Sequence, residues 1–372
     1  MKMSDWNRDS VVTRREGLIG AFVLSLFATA AHSESEGELQ KIRIGTGDTA
    51  IETSAVDLLV PQYLGYYQAE GLTTELLQLG TTTSALAGLD AKRIEFYATS
   101  AQFILPIAAT DDKIRSVDFF ELLYPFRYSL AVNPGSPFHS IADLRDKRIG
   151  ISAFGKADYS VARGVFRAAG FDPDKDVSWL AVGEGIRGGL ALQRGDVDAL
   201  LTFNTTYGVI EAAKIPVTYL PLPPNLPKIG GYYLATSPDL LHAHRAWAVG
   251  IGRAVAKAHV FIRENPEAAA YIFAEMVPEA LPKGESLEEQ VKSIMAPVVK
   301  QMSFYTHYDP SIHKAGYIKA SEWQDEINFL GLQGKIPNVS SLFTDDLIDE
   351  INQFDVEKVK TEARAFKIPY KS

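Results

Sequence analysis

The sequence predicts an α/β protein of two lobes, each with a mainly parallel β-sheet flanked by helices. An internal repeat, the same order of elements in both halves and two segments that cross between the halves support this fold class. Each half contains a strand–helix–strand unit, which requires parallel strands joined by a right-handed crossover. Two such sheets in one chain predict a cleft between two lobes.

The internal repeat relates residues 77–99 (LQLGTTTSALAGLDAKRIEFYAT) to residues 180–202 (LAVGEGIRGGLALQRGDVDALLT) without a gap. Each copy reads as a strand, a Gly-containing loop, a helix, a tight turn and a second strand. The matched pairs are Leu77 with Leu180, Gly80 with Gly183, Leu89 with Leu192, Ile94 with Val197, Glu95 with Asp198, and Thr99 with Thr202. Upstream, Lys41–Gly45 and Lys147–Ile151 are similar β-rich runs that open into polar loops. The shared order of elements supports a duplicated unit more strongly than the few identities do.

Two segments rich in β-forming residues and proline predict the crossings between the lobes. Glu121–Pro134 reads as a strand that leaves the first lobe, and Gly230–Thr236, after the stiff Pro221–Pro227, reads as a strand that returns to it. The predicted boundaries are residues 40–126 and 230–372 for the first lobe and residues 127–229 for the second. Beyond the return, apolar spacing predicts helices over residues 245–264, 267–276, 287–302 and 312–330 and a short amphipathic helix over residues 344–354.

Residues 1–33 read as an export signal peptide. Arg14 and Arg15 precede an uncharged apolar stretch, Gly17–Ala31, which ends in the small residues typical of a cleavage site. The arginine pair also resembles a twin-arginine leader. A retained membrane anchor is the alternative interpretation, which the short apolar core disfavours. We therefore expect the mature chain in the periplasm.

The composition excludes several classes of protein. The 372 residues include no Cys, so the chain has no disulfide, no thiol nucleophile and no Cys-ligated metal. A formal net charge of −9 without a basic block argues against a nucleic-acid partner. His242 and His244 stand two positions apart, a spacing that does not converge on one metal along a helix. Nucleophile-elbow, Walker and HExxH motifs are absent from the sequence. We expect no catalytic residue, no metal, no cofactor and no enzymatic activity.

Four phrases, taken in order, resemble a known family. They are Gly65–Leu77 (GYYQAEGLTTELL), Ile141–Ile151 (IADLRDKRIGI), Ala191–Ala199 (ALQRGDVDA) and Ala256–Ala269 (AKAHVFIRENPEAA). Together they resemble the solute-binding proteins of ABC importers, within the nitrate/sulfonate/taurine and thiamine-precursor group, over Lys41 to Phe354. The resemblance implies the type II periplasmic binding protein fold, of the Venus-flytrap kind. It also implies a small-molecule solute and an ABC transporter permease as partner, and we expect a monomer.

The chain departs from the family pattern at two positions. Ala91-Lys92-Arg93 replaces the usual Gly-x-x turn, and Glu95 stands where Asp is commoner. Thiamine-pyrimidine synthases are similar in fold but keep a Cys-rich motif with an active-site His and Lys, whereas this chain has no Cys. An enzyme of that type is one alternative function. A ligand-binding subunit that feeds a membrane sensor is another.

The candidate binding site follows from a general property of open α/β sheets. Their ligands bind beyond the carboxyl ends of the strands, where loops lead into helices. The candidate ligand-binding residues in these loops and in the crossing strands are Asp48, Thr49, Thr81, Thr82, Thr99, Ser100, Arg127, Ser152, Phe154, Gly155, Lys156, Asn204 and Tyr232.

The candidate residues favour a small organic anion, such as a sulfonate or a carboxylate. Hydroxyls of Thr81 and Thr82 at a helix N-terminus suit an anionic oxygen, although simple capping of the helix is the alternative. Lys156 would supply a countercharge unless it is solvated at the surface. Arg127, inside a predicted strand, needs an acidic partner if it points inward. That partner is either the solute or an Asp or Glu of the chain.

Arg187 and several aromatic residues are further candidates. Glu184 lies close enough in sequence to neutralise Arg187. Aromatic rings would wall the site and stack on a ring in the solute, whereas most aromatics in strands belong to the core. The rings considered are Phe154, Tyr159, Phe203, Tyr232 and Tyr233. The sequence therefore leaves open whether the solute is aromatic.

Overall fold

A computed structural model describes residues 38–110, 114–125, 128–228, 230–281, 283–305 and 314–371. From Glu38 onward these residues form one compact unit that contains two five-stranded sheets. The predicted signal peptide, residues 1–33, lies outside the described residues. Among the described helices, none combines the length and the apolar character that a membrane crossing needs.

The two sheets divide ten strands between them. In chain order the strands are β1 (Gln40–Thr46), β2 (Leu72–Gln78), β3 (Phe96–Thr99), β4 (Val117–Leu123), β5 (Tyr128–Val132), β6 (Lys147–Ile151), β7 (Val177–Ala181), β8 (Ala199–Phe203), β9 (Thr218–Leu220) and β10 (Tyr232–Thr236). The first sheet has the order β2-β1-β3-β10-β4, and the second has the order β7-β6-β8-β5-β9. We call each sheet with its own helices a lobe.

The helices fill the connections and the C-terminal part of the chain. In chain order they are α1 (Val56–Tyr63), α2 (Thr82–Asp90), α3 (Ala101–Ala108), α4 (Ala157–Ala168), α5 (Ile186–Arg194), α6 (Asn204–Ala212), α7 (Pro238–Ala243), α8 (Arg245–Glu264), α9 (Pro266–Met276), α10 (Leu287–Met302), α11 (Ala320–Leu330), α12 (Ile348–Ile351) and α13 (Val356–Ala365). The predicted fold class of two sheets flanked by helices is therefore confirmed, and each sheet is mixed, with both parallel and antiparallel pairings.

The internal repeat is visible as matching sheet topology. In each sheet three strands of one repeat are parallel, and a strand from a crossing segment inserts antiparallel beside them, β10 in the first sheet and β5 in the second. Ile44 pairs with Phe96 in the first sheet, and Ile149 pairs with Ala199 at the same place in the second. The two copies of the βαβ unit therefore place the carboxyl ends of their strands at equivalent positions in the two sheets.

A matching arginine–carboxylate pair holds the tight turn of each repeat. The backbone N–H of Arg43 donates to the Glu95 carboxylate at 2.8 Å, and its guanidinium bonds the same carboxylate and the Lys92 carbonyl. Arg148 makes the same set of bonds to Asp198 and to the carbonyl of Gly195. Glu95 thus performs the task of the commoner Asp, because its longer side chain still reaches both the backbone and the guanidinium.

The turns of the two repeats differ in one residue that carries backbone strain. Lys92 adopts a φ of +56°, and its counterpart Gly195 adopts +76°. A residue with a Cβ is disfavoured in this left-handed region, whereas Gly enters it freely. The departure from Gly-x-x at residues 91–93 therefore leaves the turn in its usual shape at an energetic cost.

The C-terminal helices agree with the predictions except near their ends. Helices α8 and α10 have the predicted bounds, and α9 begins one residue earlier, at Pro266, because Asn265 caps it through a bond to the Ala268 N–H. The helix predicted over residues 312–330 begins only at Ala320, and that predicted over residues 344–354 is helical only in α12. In both cases described residues of the non-helical part run beside strand β4, where Gly316 and Thr344 bond to its backbone.

Helices from the C-terminal part also pack against the second lobe. The α10 backbone at Pro297 lies so close to α6 that a Cβ on Gly208 would be 2.9 Å from the Pro297 Cα. Phe329 of α11 packs its ring on α4 at Gly164. Lys300 of α10 forms an ion pair with Glu211 of α6 at 2.7 Å. The lobes therefore contact each other through packed helices as well as through the crossing strands.

Carboxyl groups cluster in the interior beneath the first sheet. Asp118 and Glu121 of β4 face Glu322 and Glu326 of α11, and all four are at least nine-tenths buried. Burial raises the pKa of Asp118, Glu121 and Glu326 well above the usual range, and the neighbouring carboxyls add to the effect on the two glutamates. These three groups therefore hold protons in the folded chain at a pH where they would ionise in the unfolded chain.

We expect Lys92→Gly to stabilise the protein, because it removes the left-handed strain of about 1 kcal/mol, partly offset by the greater freedom of Gly in the unfolded chain. The matched change Gly195→Ala should destabilise by about 1 kcal/mol, since no atom lies within 4 Å of the new Cβ and only the φ angle opposes it. Urea unfolding of both variants measures the difference. Equal stability of Lys92→Gly and the parent chain would contradict the prediction that the backbone at Lys92 is strained.

We expect the free energy of unfolding to fall as the pH rises from about 5 towards 8, above the range in which ordinary carboxyls titrate. Over this range the folded chain holds protons on its buried carboxyls that the unfolded chain has lost, at about 1.4 kcal/mol per pH unit for each such group. Glu326→Gln removes one of these groups, so its stability should depend less on pH and should exceed that of the parent chain at pH 8. The exposed Asp325→Asn on the same helix is the control. Parallel pH profiles for the parent chain and Glu326→Gln would disprove the prediction.

Candidate functional site

A small cavity of about 50 Å³ lies at the carboxyl ends of the strands of both sheets. The loop after β1 contributes Gly47 and Asp48, the start of α3 after β3 contributes Ser100, and the loop after β7 contributes Glu184. The cavity is lined by Gly47, Asp48, Ser54, Thr82, Ser100, Tyr128, Lys156, Ala157, Asp158, Glu184, Phe203 and Tyr232. Because its wall comes from both lobes, a molecule in the cavity would contact both at once.

The structure places five of the predicted site residues on the cavity wall, namely Asp48, Thr82, Ser100, Lys156 and Tyr232. Ser100 is of particular interest, because its side chain is 2% exposed and its hydroxyl has no hydrogen-bond partner among the described residues. A buried hydroxyl without a partner costs free energy unless a ligand or water satisfies it. That a solute contacts these five residues remains a prediction.

The other predicted residues lie off the wall for identifiable reasons. Thr81 is the N-cap of α2, with its hydroxyl accepting the Ser84 N–H at 3.0 Å, so the capping alternative describes it. Thr99 is buried within β3, and Thr49 is exposed. Asn204 accepts a hydrogen bond from the Ser129 hydroxyl at 2.7 Å.

The remaining candidates follow strand β6 or lie outside the described residues. Ser152 donates its backbone N–H to Asp158 at 2.5 Å, and Gly155 lies beside Thr81 of the opposite lobe. The Phe154 side chain is 56% exposed, with its ring packed edge-on against Tyr159. Arg127 falls outside the described residues.

Lys156 forms ion pairs that join the two lobes. Its ammonium donates to Asp48 of the first lobe at 3.0 Å and to Glu184 of the second at 2.7 Å, and all three side chains are less than a quarter exposed. Burial alone would lower the pKa of Lys156, but the two carboxylates outweigh it and raise the pKa. Glu184 therefore neutralises Lys156 instead of Arg187, which is exposed. With its charge already matched twice, Lys156 is not a free countercharge for an anion.

Further carboxyls surround this ion pair. Asp158, in the first turn of α4, is 2% exposed and lines the cavity. Burial raises the pKa of Glu52 to about 8, and the negative charges of Glu184 and Asp48 add to the shift while Lys156 opposes it. Among the described residues no cluster of three or more His, Asp or Glu side chains has an arrangement that would hold a metal ion.

A buried polar network holds the loop that carries Glu52 and Ser54. The Gln301 side chain of α10 donates to the Ser54 carbonyl at 3.3 Å and to both oxygens of Asp57 at 3.1 Å. Tyr305 also donates to Asp57, and its ring stacks on the ring of His259. The first-lobe wall of the cavity is therefore fixed from behind by side chains of α8 and α10.

Sequence reasoning missed several wall residues. Ser54, Tyr128 and Asp158 were not predicted as wall residues, although Tyr128 begins the crossing strand and Asp158 follows Lys156 by two positions. Asp158 could have been predicted from its position, because it follows Lys156 by two residues at the start of a helix. Tyr128 and Phe203 form an edge-to-face pair with ring centroids 6.4 Å apart, and with Tyr232 they supply the aromatic part of the wall.

Solved structures share this fold at low sequence identity. The alkanesulfonate-binding protein SsuA of Xanthomonas axonopodis pv. citri, bound to MOPS, is 16% identical, with 84% of this chain and 98% of that chain covered and a TM-score of 0.60. The nitrate-binding protein NrtA of Synechocystis PCC 6803 is 15% identical, with 89% and 99% covered and a TM-score of 0.61. A ligand-binding component of an ABC-type import system of Staphylococcus aureus with zinc bound is 13% identical, with 85% and 100% covered and a TM-score of 0.61.

These similarities agree with the two-lobed periplasmic binding protein fold. No curated protein matches the chain in sequence. The family model described as NMT1/THI5 like matches residues 52–269, which is more than half of the chain and includes strands of both sheets. On that match, the chain belongs to the NMT1/THI5-like family.

Proposed function

We propose that this protein is the solute-binding component of an ABC importer. It would act in the periplasm after removal of residues 1–33, capture a small solute between its lobes and deliver it to the membrane permease, without catalysing a reaction. The observation that carries the proposal is the cavity whose wall comes from both lobes, with Lys156 bonded across it to Asp48. Structural neighbours that are binding components of import systems support the same role.

A cavity shared by two lobes can couple solute binding to closure. A solute that contacts both walls binds the closed arrangement more tightly than an open one, so it shifts the population towards closure by that difference in affinity. The ion pairs of Lys156 and the packing of α10 on α6 join the lobes even without solute. The solute therefore adds to contacts that the chain already makes, and the permease would dock on the closed form.

We expect at least one compound of a small-solute panel to raise the melting temperature of the mature chain by several degrees, because a ligand at a hundred times its dissociation constant adds about 2.7 kcal/mol. The panel contains sulfonates, carboxylates, nitrate, pyrimidines and amines. Ala157→Trp should abolish the shift, because Ala157 lines the cavity and the indole would fill it. Val356→Trp, at an exposed position of α13, is the control. A panel without any stabilising compound, or a shift that survives Ala157→Trp, would count against the proposal.

We expect Lys156→Met to destabilise the protein by about 1–3 kcal/mol, because it leaves Asp48 and Glu184 without the cation that compensates their burial. Lys300→Met is the matched control, since its ion pair with Glu211 also joins the lobes but is about one-third exposed and should contribute less than about 1 kcal/mol. Thermal and urea unfolding give both values. Equal losses for the two variants would show that Lys156 has no special part in holding the lobes together.

A further inference from the structure

We infer that the solute carries a positively charged nitrogen group, such as an ammonium or an amidinium. The inference rests on the proposed function and concerns the same cavity. It departs from the anion that the loop sequences predicted, and the reason is the set of partners that the folded chain gives to the charged residues of the wall.

The first step is the charge of the described wall. Asp48, Asp158 and Glu184 line the cavity together with one described cationic side chain, Lys156. Lys156 is bonded to Asp48 and to Glu184, so its positive charge is already shared between two carboxylates. The described wall therefore carries excess negative charge in a partly buried space, where charges are weakly screened. An anion would be repelled there and a cation attracted.

The second step is the pair of buried polar side chains, Asp158 and Ser100, on the cavity wall. One oxygen of Asp158 accepts the Ser152 N–H at 2.5 Å. Burial raises the pKa of this carboxyl, although hydrogen bonds from the Ser152 hydroxyl and the Tyr159 N–H also favour its charged form. The side chain is 2% exposed and lies on the cavity wall. A buried carboxylate can accept further hydrogen bonds, and an N–H of a charged group is the strongest donor that a solute can offer. The unpartnered hydroxyl of Ser100 on the same wall provides a second polar contact.

The third step is the aromatic part of the wall. Tyr128, Phe203 and Tyr232 lie on the same cavity as the carboxylates. Aromatic rings attract cations through their negative faces, and this attraction strengthens where water is excluded. Carboxylates and aromatic rings together are a combination that binds organic cations, whereas either set alone would be compatible with other solutes.

The protonation of Glu52 would change in opposite directions for a cationic and an anionic solute. Near pH 8 this carboxyl is partly protonated because of its burial and of the charges of Glu184 and Asp48, with Lys156 acting in the opposite sense. A cation in the cavity would lower the pKa of Glu52 and release its proton, while an anion would raise it and take up a proton. Binding and proton exchange are therefore linked with opposite signs for the two classes of solute.

The test compares isosteric probes of different charge. Benzamidine, benzamide and benzoate form one set, and acetamidine, acetamide and acetate form a smaller one. At low salt and pH 8 we expect an amidinium to raise the melting temperature and its neutral and anionic isosteres to leave it unchanged. Asp158→Asn should weaken amidinium binding at least tenfold, while the exposed Asp146→Asn of the same lobe should not change it.

Calorimetry in two buffers of different ionisation enthalpy provides the second measurement. Amidinium binding at pH 8 should release protons, and Glu52→Gln should remove this release while retaining binding. Tighter binding of a carboxylate or an amide, proton uptake, or no response to either amidinium would overturn the inference. If a carboxylate or an amide binds more tightly, or if binding takes up protons, a solute still binds between the lobes and the proposed solute-binding role stands. The wider solute panel with Ala157→Trp tests that role separately.

Discussion

The contact of Lys156 with one carboxylate from each lobe is the interaction on which the arrangement of the cleft depends. Asp48 and Glu184 lie on loops of different lobes, and each is mostly buried once the lobes meet. Two carboxylates brought together in this way would repel each other, and the ammonium between them turns that repulsion into attraction. This three-residue contact joins the two walls of the cavity, and its charges add to the effect of burial on the pKa of Glu52.

The duplicated unit explains why such a contact can form. The two sheets have equivalent strand orders. Both repeats also contain the same kind of arginine–carboxylate pair, Arg43 with Glu95 and Arg148 with Asp198. Each repeat therefore places its polar loops at the carboxyl ends of its strands, and the crossing strands β5 and β10 position one set of loops against the other. The repeat provides two walls of similar construction, and the differences between their loops determine the chemistry of the space between them.

Carboxyl groups are buried in two parts of this molecule, with different consequences. Beneath the first sheet, burial raises the pKa of Asp118, Glu121 and Glu326 well above the usual range, so these carboxyls affect the pH dependence of stability. The carboxyls of the cleft line a cavity, so under the proposed function a solute would match their charge. Burial lowers stability in the interior, whereas in the cleft it would select a solute by its charge.

Local patterns in the sequence determined the two-sheet fold class, the repeat and the bounds of α8 and α10, because each depends on spacing within one element or on the order of neighbouring elements. The sequence also predicted a site at the carboxyl ends of the strands, where ligand loops of such sheets lie whatever their composition, and the structure has a cavity there. The pairing of the charged residues in the cleft did not follow from the sequence. The bond between Lys156 and Asp48 joins residues 108 positions apart on different lobes, and nearness in sequence suggested Arg187 as the partner of Glu184. Only the tertiary structure decided which charges of the cleft are matched, because that depends on distances across the lobes that no local spacing encodes.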